Sequence, residues 1–194
     1  MRKTTRLLLL VLIATPAGVA AQDLESPEAA ARAMSDRMKE ADWEGMAALM
    51  HPAALETFRA MVEPILSHPA GGQLRDALFG APDSTGVSGL SDAQLFGRFI
   101  GAVLSQDPAM RDAVRNAEVD VIGHIMEGDT AHVVARSRLQ FEGVPMSQME
   151  VSSFVRHDGR WLGLLTGEFS GMAAAFGRML EVVPVPGDPG DPWD

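Results

Sequence analysis

Cysteine and tyrosine are both absent from this sequence. Without cysteine the chain forms no disulfide and has no thiol nucleophile and no thiolate metal ligand. The same absence excludes a bacterial lipid anchor, which requires a cysteine at the cleavage site. The absence of tyrosine removes the phenol as a hydrogen-bond donor for a reacting oxygen.

Long hydrophobic runs are absent too. The apolar run Leu7 to Ala14 follows the basic residues Arg2, Lys3 and Arg6 and is too short to span a bilayer, which needs about 20 apolar residues. The small residues Val19-Ala20-Ala21 complete the pattern of a secretory signal peptide over residues 1–21. We therefore expect a secreted or periplasmic protein, cleaved near Ala21 and without a stable membrane anchor.

Positive charge is scarce. The formal net charge is −10, and loss of the three basic residues of the predicted signal peptide would take it to −13. Such a charge disfavours binding to nucleic acid or to anionic membranes. The five histidines show no metal-ligand spacing, and the sequence has no phosphate-binding or dinucleotide-binding motif. We expect no metal and no cofactor.

The first half of the mature chain has helical periodicity. Ser26-Pro27-Glu28 predicts a capped helix start, Asp42 caps a second helix that stops before His51-Pro52, and Ser91 to Gln94 matches a capping box. Pro64 is expected to kink or end the third helix. Residues 80–90 are predicted to be a flexible loop, residues 170–180 a terminal helix, and residues 182–194 a disordered tail that follows a single domain over 22–181.

Three glycine turns predict an antiparallel meander of about four strands. They lie at Gly128, Gly143 and Gly159, with alternating apolar and polar residues between them. Two-residue loops at Gly128-Asp129 and Asp158-Gly159, with a longer loop at Gly143, set the expected register. It puts Asp120, His124, Ser137 and Ser153 on one mainly apolar face with Met149, and it puts Arg136 opposite Glu150 on the other face.

The opening residues carry a family resemblance. Ser26-Pro27-Glu28, Ala41-Asp42-Trp43-Glu44 and Leu49-Met50-His51-Pro52, with turns such as Asp158-Gly159-Arg160-Trp161, resemble nuclear transport factor 2-like domains. That resemblance implies an α+β cone, in which N-terminal helices pack on a strongly curved antiparallel sheet. The helical segment before the sheet is longer than the family pattern. The family includes isomerases, dehydratases, epoxide hydrolases, cyclases and binding domains, so the fold does not choose a function.

The expected register argues against the simplest catalytic sites of that family. The isomerase type needs a tyrosine, which is absent, and the epoxide hydrolase type needs an Asp–Arg–Asp cluster, whereas Asp120 and Arg136 fall on opposite faces. The dehydratase type needs an Asp–His pair in contact, but Asp120 and His124 lie roughly 13 Å apart along an extended strand.

Three functions stay open at this point. The first is binding of a small apolar ligand or a protein partner in a cone-shaped cavity, with candidate contacts from Trp43, Asp120, His124, Ser137, Met149 and Ser153. The second is an isomerase, dehydratase or cyclase that uses Asp120 or His124 as general base. The third is a structural module that forms a homodimer through the outer face of the sheet.

Overall fold

A computed structural model of the chain describes residues 24–68, 71–80, 84–165 and residue 167. The fold is α+β, with helices first and one antiparallel sheet after them. The helices are α1 (Pro27–Lys39), α2 (Trp43–Ala47), α3 (Pro52–Ser67), α4 (Gly72–Phe79), α5 (Ser84–Ser88), α6 (Asp92–Ser105) and α7 (Pro108–Arg115). The strands are β1 (Glu118–Glu127), β2 (Thr130–Phe141), β3 (Val144–His157) and β4 (Arg160–Gly163), in the order β1-β2-β3-β4.

The predicted helix starts are confirmed. The Ser26 side chain accepts a hydrogen bond from Ala29 N at 3.1 Å, and Asp42 accepts one from Gly45 N at 2.9 Å. At α6 the Ser91 and Gln94 side chains each bond the other residue's backbone N–H, which completes a capping box. These caps satisfy backbone donors that a helix cannot pair by itself.

The predicted end of the third helix at Pro64 and the predicted loop over all of residues 80–90 are wrong. Pro64 does not end α3, which continues through it to Ser67 because Val62, Ile65 and Leu66 are buried on both sides of the proline. Residues 80–90 are not wholly a loop, since they include α5, whose Val87 is buried; residues 81–83 lie outside the described chain.

A buried arginine completes the end of α3. Arg75 on α4 donates from Nη1 to the carbonyl oxygen of His68 at 2.7 Å, and to those of Ile65 and Leu66 at 3.3 Å. The last carbonyls of a helix have no partner within it and carry partial negative charge, so a guanidinium there is stabilising. Arg75 thereby ties α4 to α3.

The helices hold an aromatic core of their own. The Phe58 ring lies edge-on to Phe96, with centroids 5.1 Å apart, and 5.2 Å from Phe99; Phe79 lies 6.0 Å from Phe99 on the far side. All four rings are buried. We call this set the helical core. A separate, smaller cluster joins α1 to the sheet through Ala30, Val133, Phe154, Leu162 and Leu24.

The expected cone is not confirmed. The four-stranded meander is present, but its sheet is neither closed nor strongly curled. The edge of β4 is covered, since Trp161 N donates to Leu24 O at 3.1 Å and Gly163 N donates to Leu49 O at 2.9 Å. The far half of β3, residues 144–151, is exposed throughout and extends beyond the helices.

The predicted strand register is wrong at two places. Phe141 pairs with Val144 across a two-residue turn, where a longer loop was expected, so β3 is shifted by one residue and Glu150 faces Ala135 while Arg136 faces Met149. A bulge at Ile122 in β1 moves the side chains of the residues before it to the opposite face from the one predicted. Asp120 is therefore the direct partner of Arg136.

The predicted signal peptide, the predicted terminal helix over residues 170–180 and the predicted tail over residues 182–194 lie outside the described residues. Among the described residues, no helix combines the length and the apolar character needed to cross a membrane.

Candidate functional site

The helices cover only part of one face of the sheet, and a cavity remains between them. We call it the sheet cavity; it has a volume of about 240 Å³ and lies between α1, α7 and the inner face of β1, β2 and β3. Most of the residues that line it are apolar: aliphatic residues, methionines and one phenylalanine. The apolar lining residues are Ala31, Met34, Met38, Met110, Val114, Ala117, Val119, Val121, Val133, Ala135, Leu139 and Phe154.

Sequence order explains why these residues meet. On β2 the alternate residues from Val133 to Leu139 point towards the helices, and their partners Val121 and Ser152 follow the same alternation on the neighbouring strands. Helix α1 supplies Met34 and Met38, one turn apart on one side of the helix. Methionine adapts its shape to an occupant more readily than a branched side chain does.

One polar side chain lies deep in the sheet cavity. Ser137 is 4% exposed and lines the cavity wall. Its hydroxyl makes no hydrogen bond with any other residue in the described part of the chain. Among the described residues the Ser137 oxygen is not one of the fully buried side-chain atoms that lack a hydrogen-bond partner, so the hydroxyl is accessible from the cavity. It is therefore suited to bond a polar atom of an occupant or a water molecule.

The remaining polar groups of the sheet cavity include two opposite charges. Lys39 lines it from the end of α1, and Glu150 from β3, where Glu150 accepts a hydrogen bond from Gln148 Nε2 at 2.8 Å. Lys39 forms no ion pair with another described residue. Ser35, Gln148 and Ser152 complete the polar lining. The lining of the cavity thus combines many apolar side chains with several polar ones.

A second, wider depression adjoins the first. We call it the hairpin groove; it has a volume of about 730 Å³ between α7 and the β2–β3 hairpin. The two share Leu139, and the groove continues over Ala113 and Met146. Its rim is polar, with Asp112, Asn116, Gln140 and Ser147 among the lining residues.

The six predicted ligand contacts do not come together. Ser137 lines the sheet cavity, whereas Asp120, Met149 and Ser153 lie on the outer face of the sheet because of the bulge at Ile122 and the shift of β3. Trp43 is on α2, where it packs against Gly97 and Gly101 of α6. His124 is on the inner face, but it is not among the residues that line the sheet cavity.

Each of the two candidate general bases has a hydrogen-bond partner that the sequence analysis did not predict. Asp120 accepts a hydrogen bond from Arg138 Nη1 on the exposed outer face. His124 Nδ1 lies 2.5 Å from Oε1 of Glu28, at the start of α1. The hydrogen bond from His124, followed by the backbone N–H of Glu28 itself, lowers the pKa of the Glu28 carboxyl.

Sequence reasoning missed most of the cavity. Met34, Met38, Val119 and Val121 carry only an apolar periodicity, which predicts a core equally well. No group of three or more histidine, aspartate or glutamate side chains in the described ranges could hold a metal ion. The sequence signal that could have indicated the cavity is the repeated use of methionine on helices that precede a long sheet.

Comparison with known proteins corrects the expected family. No protein-family model matches the chain, and no curated protein matches it either. Among solved structures it is similar to a SEC-C motif containing protein from Rhodopseudomonas palustris, with 18% identity, a TM-score of 0.43, and 73% of this chain and 77% of that chain covered. The predicted membership of the nuclear transport factor 2-like superfamily was wrong, since the sheet lacks the strong curl that the cone of that family requires. At this level of similarity the match carries no argument about function.

Proposed function

We propose that this protein binds a small, mainly apolar molecule in the sheet cavity and that this binding, without chemical change of the ligand, is its function. The observation that carries the proposal is the Ser137 hydroxyl, which has no described partner and lies in the wall of a cavity whose lining is mainly apolar. Ligand sites commonly combine an apolar lining with a few polar groups that fix orientation.

Size limits the class of ligand. The volume of about 240 Å³ lies just below the usual range for sites that take drug-sized molecules, about 300–1,000 Å³. We propose a ligand with roughly eight to ten carbon atoms, which is smaller than a drug-sized molecule. Each methylene that it buries contributes about 0.8 kcal/mol to binding. A longer ligand would continue past Leu139 into the hairpin groove.

The polar end of the ligand would bond Ser137 or reach the Lys39 side of the cavity. A hydrogen bond to a neutral hydroxyl contributes about 0.5–1.5 kcal/mol, so Ser137 would fix orientation more than it would set affinity. An aliphatic alcohol has the required composition, with one donor and acceptor on an apolar chain. We use 1-octanol as the probe for this reason.

The test uses two neighbouring substitutions on β2. Ala135 lines the cavity, and Ala135→Met would fill part of its volume; Val134→Met changes the next residue, whose side chain lies on the opposite face. Isothermal titration with 1-octanol should show saturable binding to the wild type and to Val134→Met, and at least tenfold weaker binding to Ala135→Met. Equal affinity in all three proteins, or no binding to the wild type, would contradict the proposal.

General-base catalysis by His124 is the second candidate function. Its support is the contact with Glu28, because a carboxylate at Nδ1 fixes the tautomer and leaves Nε2 as the basic atom. Asp120 has no such support, since Arg138 pairs with it on the outer face. A turnover screen with the wild type and His124→Ala separates the candidates: turnover lost in His124→Ala would favour catalysis over binding alone.

Export of the protein by its predicted signal peptide is also part of the proposal. The signal-peptide pattern of residues 1–21 supports export, and N-terminal sequencing of protein recovered from the cell envelope checks whether the mature chain begins at Gln22.

A further inference from the structure

The outer face of the sheet carries large apolar side chains that no helix covers. Ile125 is 67% exposed, Val151 is 56% exposed and Met149 is 53% exposed, with the half-buried Val134 between the strands that hold them. We call these four residues the outer patch. The bulged Ile122, which is also exposed, lies beside it.

The register makes the outer patch continuous. Val134 pairs directly with Val151 on β3 and with Gly123 on β1. Because Gly123 has no side chain, Ile122 and Ile125 are the apolar side chains of β1 beside Val134. Met149 precedes Val151 by two residues on β3 and therefore lies on the same face. Contiguous exposed apolar patches of this kind mark interaction surfaces, whereas single exposed apolar side chains do not.

Charges border the outer patch at both ends. Towards the β1–β2 turn, Glu127 lies 2.9 Å from His132 Nε2, and its carboxylate is mostly exposed. At the other end are Arg138, which pairs with Asp120, and Arg136, which forms no ion pair with any described residue. Glu118 and Asp120 lie on the same face at this end as strand partners of the two arginines, and Arg136 is the cation there without an ion pair to a described residue.

We infer that the outer patch is the interface of a homodimer, in which two copies pack sheet on sheet about a two-fold axis that crosses the strands at Val134. This axis places Val134 and Val151 of one copy on the same residues of the other. It also turns the Glu127 end of each copy towards the Arg136 end of the other, so that opposite charges approach. A self-complementary arrangement of this kind is what an isologous interface requires.

The end of β4 favours a second copy over the chain's own continuation as the occupant. Leu165, two residues after β4, packs against the helical core, on the opposite side of the sheet. The described chain therefore leaves the sheet away from the outer patch.

The test compares two exposed valines on the same strand. Val151 is in the outer patch, whereas Val144 is 60% exposed on the opposite face of β3 and lines neither cavity. Analytical ultracentrifugation over a concentration series should give a dimer for the full mature chain and for Val144→Glu. Val151→Glu should dimerise at least tenfold more weakly, because the carboxylates introduced in the two copies would be buried against each other in the interface.

Charge reversal sharpens the same test. Glu127→Arg should weaken the dimer, and addition of Arg136→Glu in the same chain should restore it. Circular dichroism confirms that each variant is folded. A wild type that stays monomeric at all concentrations overturns the inference, and so does equal dimerisation of Val151→Glu and wild type, which would indicate another interface.

Discussion

The helical half and the sheet half of this molecule use their apolar residues differently. In the helical core the rings of Phe58, Phe79, Phe96 and Phe99 are buried against one another. In the sheet, an inner cavity is left between helix and strand, and an outer patch is left in contact with solvent. The helical half therefore accounts for stability, and the sheet half carries the surfaces that remain for function.

The two halves differ because folding buries the apolar side chains of the helical half more completely than those of the sheet half. Helices α3, α4 and α6 surround their apolar side chains on several sides, so packing is complete without a partner. Strands β1 to β3 are longer than the helices that lie on them, and residues 144–151 of β3 are exposed. Binding of a ligand or of a second copy would bury what folding leaves exposed.

The largest expected effect lies in the helical core. Phe99→Ala should lower the free energy of unfolding by about 3–5 kcal/mol, because it removes a buried ring and leaves a cavity between Phe58 and Phe79. Val103→Ala, on the exposed side of the same helix, should change it by less than about 0.5 kcal/mol. Urea unfolding measures both. Similar losses in the two variants would mean that the rings do not dominate stability.

An intermediate effect is expected where α2 crosses α6. A Cβ at Gly97 would lie 2.9 Å from the backbone oxygen of Trp43, a contact that backbone atoms cannot easily relieve. Gly97→Ala should therefore cost about 1–3 kcal/mol despite the better helix propensity of alanine. A Cβ at Gly89 has no neighbour within 4 Å, so Gly89→Ala is the control and should have little effect on urea unfolding. A neutral Gly97→Ala would show that this crossing is loosely packed.

The smallest expected effect is the acid sensitivity of the contact between α1 and β1. Because the pKa of Glu28 is lowered in the folded state from its ordinary value of 4.5, the stabilisation is present above that value and is lost as the pH falls through the lower, folded pKa. The loss should be about 0.2–1 kcal/mol, as for other partly exposed ion pairs.

Melting temperatures between pH 3 and pH 6 check this expectation, since the range spans the ordinary glutamate pKa of 4.5. His124→Gln should flatten the acid-side decline, because it removes the main cause of the lowered pKa. His132→Gln, on the outer face of the sheet, should keep the decline of the wild type. Identical pH profiles for His124→Gln and the wild type would contradict the role of this contact.

Local signals in the sequence predicted the helix starts and the number of strands. Ser26, Asp42 and Ser91 act within one helical turn, so their effect is independent of the rest of the fold. The glycine at each turn is equally local: Gly128, Gly143 and Gly159 all have positive φ, which favours glycine.

Strand register was not predictable in the same way. Glu142 also has positive φ, and with Gly143 it makes a two-residue turn that the sequence does not distinguish from a longer loop. The bulge at Ile122 leaves no composition signal of its own, although Gly123 follows it. Each error moved one strand segment to the wrong face, so Ser137 was placed correctly while Asp120, Met149 and Ser153 were not.

Methyl NMR of the methionines tests the central claim, that the sheet cavity binds an apolar molecule, most directly. Met34, Met38 and Met110 line the cavity, whereas Met149 lies on the outer face of the sheet. During titration with 1-octanol, the methyl signals of the three cavity methionines should shift together and saturate, while that of Met149 stays unchanged. Shifts confined to Met149, or no saturable shift of the cavity methionines, would contradict the account.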